Sequence, residues 1–343
     1  MRIGIIGDTH LKIVEQFGYF DKDYYSTRLE QKIDALNNIA DSFKASNIDL
    51  CVFLGDIFDR INPPEKLSEL FTHVLLKFIN YKIPVRIIKG NHDYSNDSSN
   101  LTSESLLFDS LSPDAVKIFS TEAVEKFDDI TIGYAPYLSN SLPDADVLFA
   151  HIDFVGAKLD NGIENHNGFT FDHVKKYKDV FLGHYHVPQI VRKEDPRVLC
   201  VGSIFKESFT ATGINCRYVV YDTEIKGIDS IDIPDKKYHI FNFDEDKISG
   251  VDTDFQDVED SFVKVKFIGS KTWFFSEGQK ILDEIKSHKP YKLLSSFELT
   301  GENSNVVLSN TLGDREVLEE YLKTKGEFSQ ERFELGCQYL IGD

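Results

Sequence analysis

No hydrophobic run in this chain approaches the roughly 18 consecutive apolar residues that a membrane helix needs. There is also no basic stretch followed by an apolar core and a cleavage site, because Met1 leads at once into Ile3 to Ile6 and then Gly7-Asp8-Thr9-His10. Both absences predict a soluble, untargeted cytoplasmic protein with no membrane partner. Cysteine is scarce: Cys51, Cys200, Cys216 and Cys337 form no C-x-x-C pair and sit in apolar or helical contexts, which predicts reduced thiols rather than a disulfide framework. Basic residues are outnumbered, 38 Lys and Arg against 57 Asp and Glu, for a formal charge of −19. That balance excludes a surface attracting nucleic acid over its whole extent and confines any polyanion contact to a local patch. Bound divalent cations would offset part of the carboxylate charge. No internal repeat or low-complexity tract is present.

What is abundant is apolar and aromatic. A hydrophobic fraction of 41%, with 27 Phe and 15 Tyr in 343 residues, excludes a disordered chain and allows one large domain with small additions. Ile3 to Ile6, Leu50 to Leu54, Val85 to Ile88, Asp146 to Ala150 and Val180 to Leu182 are short continuous apolar runs, the pattern of strands covered on both faces. Between the first three lie helical stripes, Leu29, Ile33, Leu36, Ala40 and Phe43, then Leu67, Leu70, Phe71, Val74, Leu75 and Phe78. This βαβ rhythm predicts an α/β layered, largely parallel fold. Residues 11–27 and 152–172 read as loops, the latter lying over the site. A further helix is expected around Leu106, Leu107 and Leu111, and late strands at 199–203 and 218–221. Near Ile233-Pro234-Asp235 the composition turns polar, so a domain is expected over 1–234 and a small α+β unit over 235–303. The stretch 304–343 is expected to be helical, with helices at 316–323 and 331–340.

Each strand run ends in residues that bind metals. Val180-Phe181-Leu182-Gly183-His184-Tyr185-His186 is the plainest case, since alternate side chains of an extended segment point the same way. The other strand ends add Asp8 and His10, Asp56, Asn91 and His92, and His151. Carboxylate, imidazole and amide donors without thiolates suit Mn²⁺, Fe²⁺ or Zn²⁺. Seven of these eight, with one shared carboxylate, fit two metals roughly 3.5–4 Å apart, the arrangement used to hydrolyse phosphate esters, and Asp56, central in the set, is the expected bridge. A lone Asp after glycine is ordinarily a turn residue and a lone buried His a hydrogen-bonded core residue. Five such strand ends in one chain are poorly explained that way. His73, His166, His173, His239 and His288 have no such setting.

The order Asp-x-His, Gly-Asp-x-x-Asp, Gly-Asn-His-Asp, isolated His, Gly-His-x-His over residues 8–186 resembles the calcineurin-like metallophosphoesterase superfamily. Within it the pattern is most similar to the SbcD nuclease family, whose eukaryotic members are the meiotic recombination 11 nucleases. Asp8-Thr9-His10-Leu11 and Gly202-Ser203 with Phe205 to Phe209 carry that finer likeness, and the compact length resembles the phage recombination nuclease subunits, which act in the bacterial host cytoplasm. The resemblance implies a layered metallophosphoesterase fold with a β-sandwich core flanked by helices, a small α+β DNA-capping domain over 235–303, and a helical segment over 304–343 for an SMC-like ATPase of SbcC type. It implies two divalent ions, Mn²⁺ first and Mg²⁺ as the alternative, one held by Asp8, His10, Asp56 and His186, the other by Asp56, Asn91, His151 and His184. His92 would face the scissile phosphate and protonate the leaving oxygen, with the Asp59 carboxylate orienting its ring. Lys12 stands where the family often has glycine, and Ile61 replaces the glycine of an Asp-Arg-Gly pattern after Asp59-Arg60. Lys12 and Arg60 are therefore candidate phosphate contacts, with a solvated arginine the simpler reading of Arg60.

The function implied is a two-metal DNA nuclease, a double-strand 3′ to 5′ exonuclease and single-strand endonuclease in DNA replication, recombination and repair, working as a homodimer with its ATPase. One alternative is a metallophosphoesterase acting on phosphoproteins or small nucleotides, which would not need the region after residue 235. The other is a non-catalytic scaffold binding DNA ends or the ATPase, which would tolerate gaps in the metal set.

Overall fold

In the computed structural model, which describes residues 1–13, 27–94, 114–206, 209, 214–247, 255–300 and 307–309, the short apolar runs become strands buried on both faces. In chain order these are β1 (Arg2–Ile6), α1 (Thr27–Ala45), β2 (Leu50–Phe53), α2 (Glu65–Asn80), β3 (Val85–Ile88), β4 (Val116–Phe119), β5 (Ala123–Phe127), β6 (Ile130–Ala135), β7 (Val147–Ala150), β8 (Asp179–Leu182), β9 (Gln189–Arg192), β10 (Arg197–Cys200), β11 (Arg217–Asp222) and β12 (Gly227–Asp232). They lie in a compact unit spanning Met1–Asp235.

Two six-stranded sheets make the core, one ordered β12-β11-β1-β2-β3-β4 and the other β5-β6-β7-β8-β10-β9. Strands β1 to β4 run parallel, as do β6, β7, β8 and β10. The two sheets face each other across Ile3, Ile5, Val52, Ile88, Tyr134, Phe149, Phe181 and Tyr221. The outer face of the first sheet is covered by the apolar stripes of α1 and α2, with Leu36, Phe43, Phe71 and Phe78 at its centre. Phe43 lies so close over β1 that a Cβ added at Gly4 would come within 2.1 Å of its ring. Truncating Phe43 to Ala would cost about 3–5 kcal/mol. The second sheet is covered by the segment running from Ile152 to Tyr177. This is the α/β layered metallophosphoesterase arrangement expected from the sequence.

The elements not anticipated are β5, β9 and β12. They sit at sheet edges with alternating or largely solvated residues, such as Gly227-Ile228-Asp229-Ser230-Ile231-Asp232, and carry little apolar signal. The stretch 152–172 is no simple loop: bridges Phe154↔Phe169 and Lys158↔Glu164 close it on itself. Cys51, Cys200 and Cys216 are buried free thiols, and burial raises Cys51 and Cys200 above the ordinary thiol value.

A second compact unit spans Lys236–Asp343. Its sheet is ordered β13 (Tyr238–Asp244), β14 (Phe262–Gly269), β15 (Lys292–Leu299) and β16 (Val307–Ser309), with the first three parallel. Helix α3 (Gln279–Ser287) follows a π-helical turn, Phe274–Gly278, and packs Leu282 and Ile285 on Val265, Phe267 and Phe297. Within the stretch expected to be helical over 304–343, Val307–Ser309 is a strand. The helices expected at 316–323, at 331–340 and around Leu106 to Leu111 lie outside the described residues. Among the described residues no helix is long and apolar enough to cross a membrane.

Candidate metal centre

The carboxyl ends of β1, β2 and β3 from one sheet meet those of β7 and β8 from the other, and each delivers its polar residues there. The chain must turn sharply at these ends, and the cost shows in the backbone. His10 (φ 40°), Asp56 (φ 47°) and His184 (φ 74°) are left-handed non-glycine residues, the last two directly following Gly55 (φ 105°) and Gly183. Such conformations cost of order 1–2 kcal/mol each and persist only where surrounding bonds fix them. Here the Thr9 and His10 amides donate to the Asp56 carbonyl at 3.2 and 2.9 Å. Buried Lys32 donates from α1 to the Thr9 and His10 carbonyls at 3.1 and 2.9 Å. Asp93 Oδ2 accepts from the Gly90 and Asp56 amides at 2.8 and 2.9 Å, pinning two strand ends together. A Cβ at Gly90 would lie 2.1 Å from Asp56 Oδ1, so only glycine admits this approach.

All seven expected donors converge into two groups. In one, His10 Nε2 and His186 Nε2 stand 3.0 Å apart, with Asp8 Oδ2 3.8 Å from His186 Nε2. In the other, Asn91 Oδ1 lies 2.9 Å from both His151 Nε2 and His184 Nδ1. Between them sits Asp56 Oδ2, 3.6 Å from His10 Nε2 and 3.5 Å from His151 Nε2. The second oxygen of each carboxylate is occupied, Asp56 Oδ1 by the His92 amide at 2.8 Å and Asp8 Oδ1 by the His184 amide at 3.2 Å. One oxygen of each therefore remains aimed into the cluster.

The donor set fits divalent cations on three grounds. Asp8 Oδ2, the oxygen aimed into the cluster, is buried without a hydrogen-bond partner, an expensive state for a polar atom. His151 Nδ1 lies 2.7 Å from the Leu54 carbonyl and must donate to it, which leaves Nε2 a bare acceptor facing the Asn91 oxygen. A shared cation would relieve the repulsion between two acceptors at that separation. The electrostatics agree: burial, and then the charge of Asp56, pushes Asp8 up to about 7. Burial holds His151 and His184 below, and His10 well below, the ordinary imidazole value, so all three rings are neutral and able to ligate.

The expectation for Asp59 is corrected. The atom facing His92 Nδ1, at 2.8 Å, is the Asp59 main-chain carbonyl. The Asp59 carboxylate turns instead to Lys12 Nζ at 2.8 Å and lies 3.7 Å from His10 Nδ1, because the ammonium offers it a charged partner in a part-buried setting. Lys12 is thereby engaged with Asp59, and Arg60 is exposed beside it. His73, His166, His173, His239 and His288 belong to none of the donor clusters among the described residues. Sequence reasoning missed Asp93, Lys32, Asp153 and Asp160. Asp93 had a signal, its place at the end of Gly-Asn-His-Asp. Asp160 Oδ2 lies 2.9 Å from His186 Nδ1 and Asp153 Oδ1 3.4 Å from His184 Nε2, with no sequence signal to announce either.

Known proteins share this arrangement of sequence. Over 226 residues the chain is 26% identical to the protein named Putative phosphoesterase 244L of Invertebrate iridescent virus 6, covering 61% of this chain and 71% of that protein. A shorter stretch of 68 residues is 37% identical to the SbcD component of the SbcCD nuclease of Bacillus subtilis (strain 168), covering 20% of this chain and 17% of that protein. A solved dimetal phosphatase from Danio rerio aligns at 12% identity with a TM-score of 0.42, over 64% of this chain and 91% of that one, too distant to transfer any residue's role. The pattern of the calcineurin-like phosphoesterases matches residues 1–220 and so includes every strand end that supplies a donor. The chain belongs to the calcineurin-like phosphoesterase family.

Proposed function

We propose that this chain is a two-metal DNA nuclease that cleaves phosphodiester bonds at DNA ends in concert with an SMC-like ATPase of SbcC type. The observation that carries the two-metal reading is Asp56 Oδ2, which stands about equally far from a nitrogen of each donor group. Two bound divalent cations, Mn²⁺ first, would supply a nucleophilic water at neutral pH and neutralise charge on the phosphoryl oxygens. Asp8, His10, His186 and Asp56 would hold one, and Asp56, Asn91, His151 and His184 the other. His92, whose amide is fixed on Asp56 and whose Nδ1 donates to the Asp59 carbonyl, keeps Nε2 for the substrate in this reading. With Nδ1–H so committed, a proton delivered to the leaving oxygen comes from Nε2 of the imidazolium, and the ring then remains in one defined tautomer.

The DNA part of the reading is supported by the motif order, by the local likeness to the SbcD component of a nuclease and by a second folded unit beyond residue 235. Homodimerisation and the ATPase contact, which we assign to 304–343, belong to the same proposal. The longer likeness to a viral protein named a putative phosphoesterase favours a second reading, a metallophosphoesterase acting on phosphoproteins or small nucleotides. One experiment separates them: the pure protein with Mn²⁺ or Mg²⁺ on end-labelled duplex DNA beside a phosphomonoester. Degradation of the duplex with little monoester turnover is the expected result; rapid monoester turnover with intact DNA would replace the first reading by the second. Truncation from about residue 314 should abolish co-purification with the ATPase while sparing basal cleavage, and unchanged co-purification would refute that assignment.

A further inference from the structure

Beyond the end of β8, where His184 is left-handed, His184 and His186 face the donor groups and Tyr185 occupies a buried position at 1% exposure. There its hydroxyl meets the segment 153–165. It accepts from the Phe154 amide at 2.7 Å and from Asn165 Nδ2 at 2.8 Å, and donates to the Phe154 carbonyl at 3.2 Å. That uses its one donor and both acceptor positions. The segment is also closed on itself: the Asn165 amide donates to the Ala157 carbonyl at 2.7 Å, and the Gly156 amide to the Asn165 carbonyl at 2.9 Å. Gly168 (φ 93°) completes the closure, since a Cβ there would come within 2.2 Å of the Asp153 carbonyl oxygen.

Two carboxylates of this fixed segment each face the outer nitrogen of a different histidine. Asp160 Oδ2 is 2.9 Å from His186 Nδ1, while the ring's Nε2 faces His10. Asp153 Oδ1 is 3.4 Å from His184 Nε2, while that ring's Nδ1 faces Asn91. The two histidines therefore present opposite nitrogens to the two donor groups. A carboxylate behind a ligating imidazole holds its proton on the outer nitrogen, keeps the inner lone pair free and stops the ring from turning. The remaining pair of imidazoles is backed differently, His151 by the Leu54 carbonyl and His10 by no hydrogen-bond partner at Nδ1.

We propose that the segment 153–165 is the positioning element of the metal centre, with Asp160 setting His186 for one cation, Asp153 setting His184 for the other, and Tyr185 fastening the segment to the strand end between them. This rests on the two-metal reading above. Because Asp160 makes a true hydrogen bond and Asp153, also held by Asn165 Nδ2 at 3.3 Å, a longer contact, the two halves should respond unequally.

The test is calorimetric titration of the metal-stripped protein with Mn²⁺ and of the same preparations with Co²⁺, followed by its visible absorption. Wild-type protein should show two binding steps. Asp160→Asn should weaken one step by about 10–100-fold and leave the other within about twofold, and Asp153→Asn should weaken the opposite step by a smaller factor. Each variant should alter a different part of the Co²⁺ spectrum. Both carboxylates are partly exposed, at 35% and 43%, so the metal-free variants should unfold at the wild-type temperature. Unchanged titrations, an equal fall in both steps, or a lowered unfolding temperature as the only effect would overturn the positioning role. A wild-type protein that takes up fewer than two cations would instead overturn the two-metal reading, and the inference with it.

Discussion

Asp8, His10 and His186 form a half of the centre whose loop is held from outside, whereas the half formed by Asn91, His151 and His184 has a ring anchored directly by the main chain. In the second, the amide oxygen of Asn91 contacts both imidazoles at 2.9 Å, and His151 is fixed by a main-chain carbonyl at 0% exposure. In the first, Asp8 Oδ2 and His10 Nδ1 are buried without hydrogen bonds, and the loop carrying His10 is fixed by Lys32 and the Asp56 carbonyl. The same residue types thus make one half whose buried ring is hydrogen-bonded without a cation and one whose buried ring is not. This is a difference in what surrounds the donors, since the donors themselves are nearly alike.

The largest expected effect comes from the residue that belongs to both halves. In Asp56→Asn, the oxygen that accepts from the His92 amide can be kept, but Oδ2 becomes a donor NH₂ aimed at both donor groups. Both metals should be lost together, and hydrolysis should fall by more than about 10⁴-fold, as expected when several kcal/mol of charge stabilisation disappear at each site. Metal analysis showing one site still filled would break the symmetry of this bridge. His92→Ala should spare both halves, because its ring, edge-on to His10 and hydrogen-bonded to the Asp59 carbonyl, lies in neither donor group, and its amide bond to Asp56 is kept. Metal content should remain at the wild-type level while turnover falls by about 10²–10⁴-fold; loss of metals would show that His92 is a ligand after all.

A third expectation sharpens the contrast in the metal-free protein. Burial and the Asp56 charge raise Asp8 to about 7, above its unfolded value. The folded state then binds a proton that the unfolded state releases, so this group's contribution favours folding at low pH and is lost as pH rises toward about 7. Asp8→Asn removes that loss. The metal-stripped variant should unfold at nearly the wild-type temperature at pH 5 and several degrees higher at pH 8, each kcal/mol being worth about 2–4 °C in a domain of this size. Thermal scans with the variant no more stable at pH 8 than at pH 5, relative to wild type, would refute it.

What could be read from the sequence follows the same division. The strand-end donors were legible because an apolar run must stop before a polar site, and the stops at Gly7-Asp8, Gly55-Asp56, Gly90-Asn91 and Gly183-His184 are abrupt. A layered, largely parallel arrangement followed from the continuous apolar runs of β1, β2, β3, β7 and β8, while the two-sheet sandwich was implied by the family resemblance. The supports around the donors were not legible. Asp160 reaches His186 across 26 residues and Asp153 is placed by a segment whose fold depends on Tyr185, so neither leaves a periodic trace. The Asp59 carbonyl that meets His92 is main chain, which every residue has, and a side-chain reading naturally assigned that contact to the carboxylate.

The smallest effect falls on Lys32, which tests whether the first half is truly held from outside. Its ammonium, 3% exposed, donates to the carbonyls of Thr9 and His10 and so fixes the left-handed turn that aims His10. Lys32→Met keeps most of the volume but removes both bonds. Stability should change by no more than about 1 kcal/mol, because losing the hydrogen bonds is offset by no longer desolvating a charge. The His10 half should still lose a severalfold factor in Mn²⁺ affinity, since a ring held less firmly pays more entropy to bind. The His151 half, fixed by the Leu54 carbonyl, should keep its affinity. If both steps of a Mn²⁺ titration weaken alike, Lys32 supports the sheet rim as a whole, and the two halves are held more similarly than their hydrogen bonds suggest.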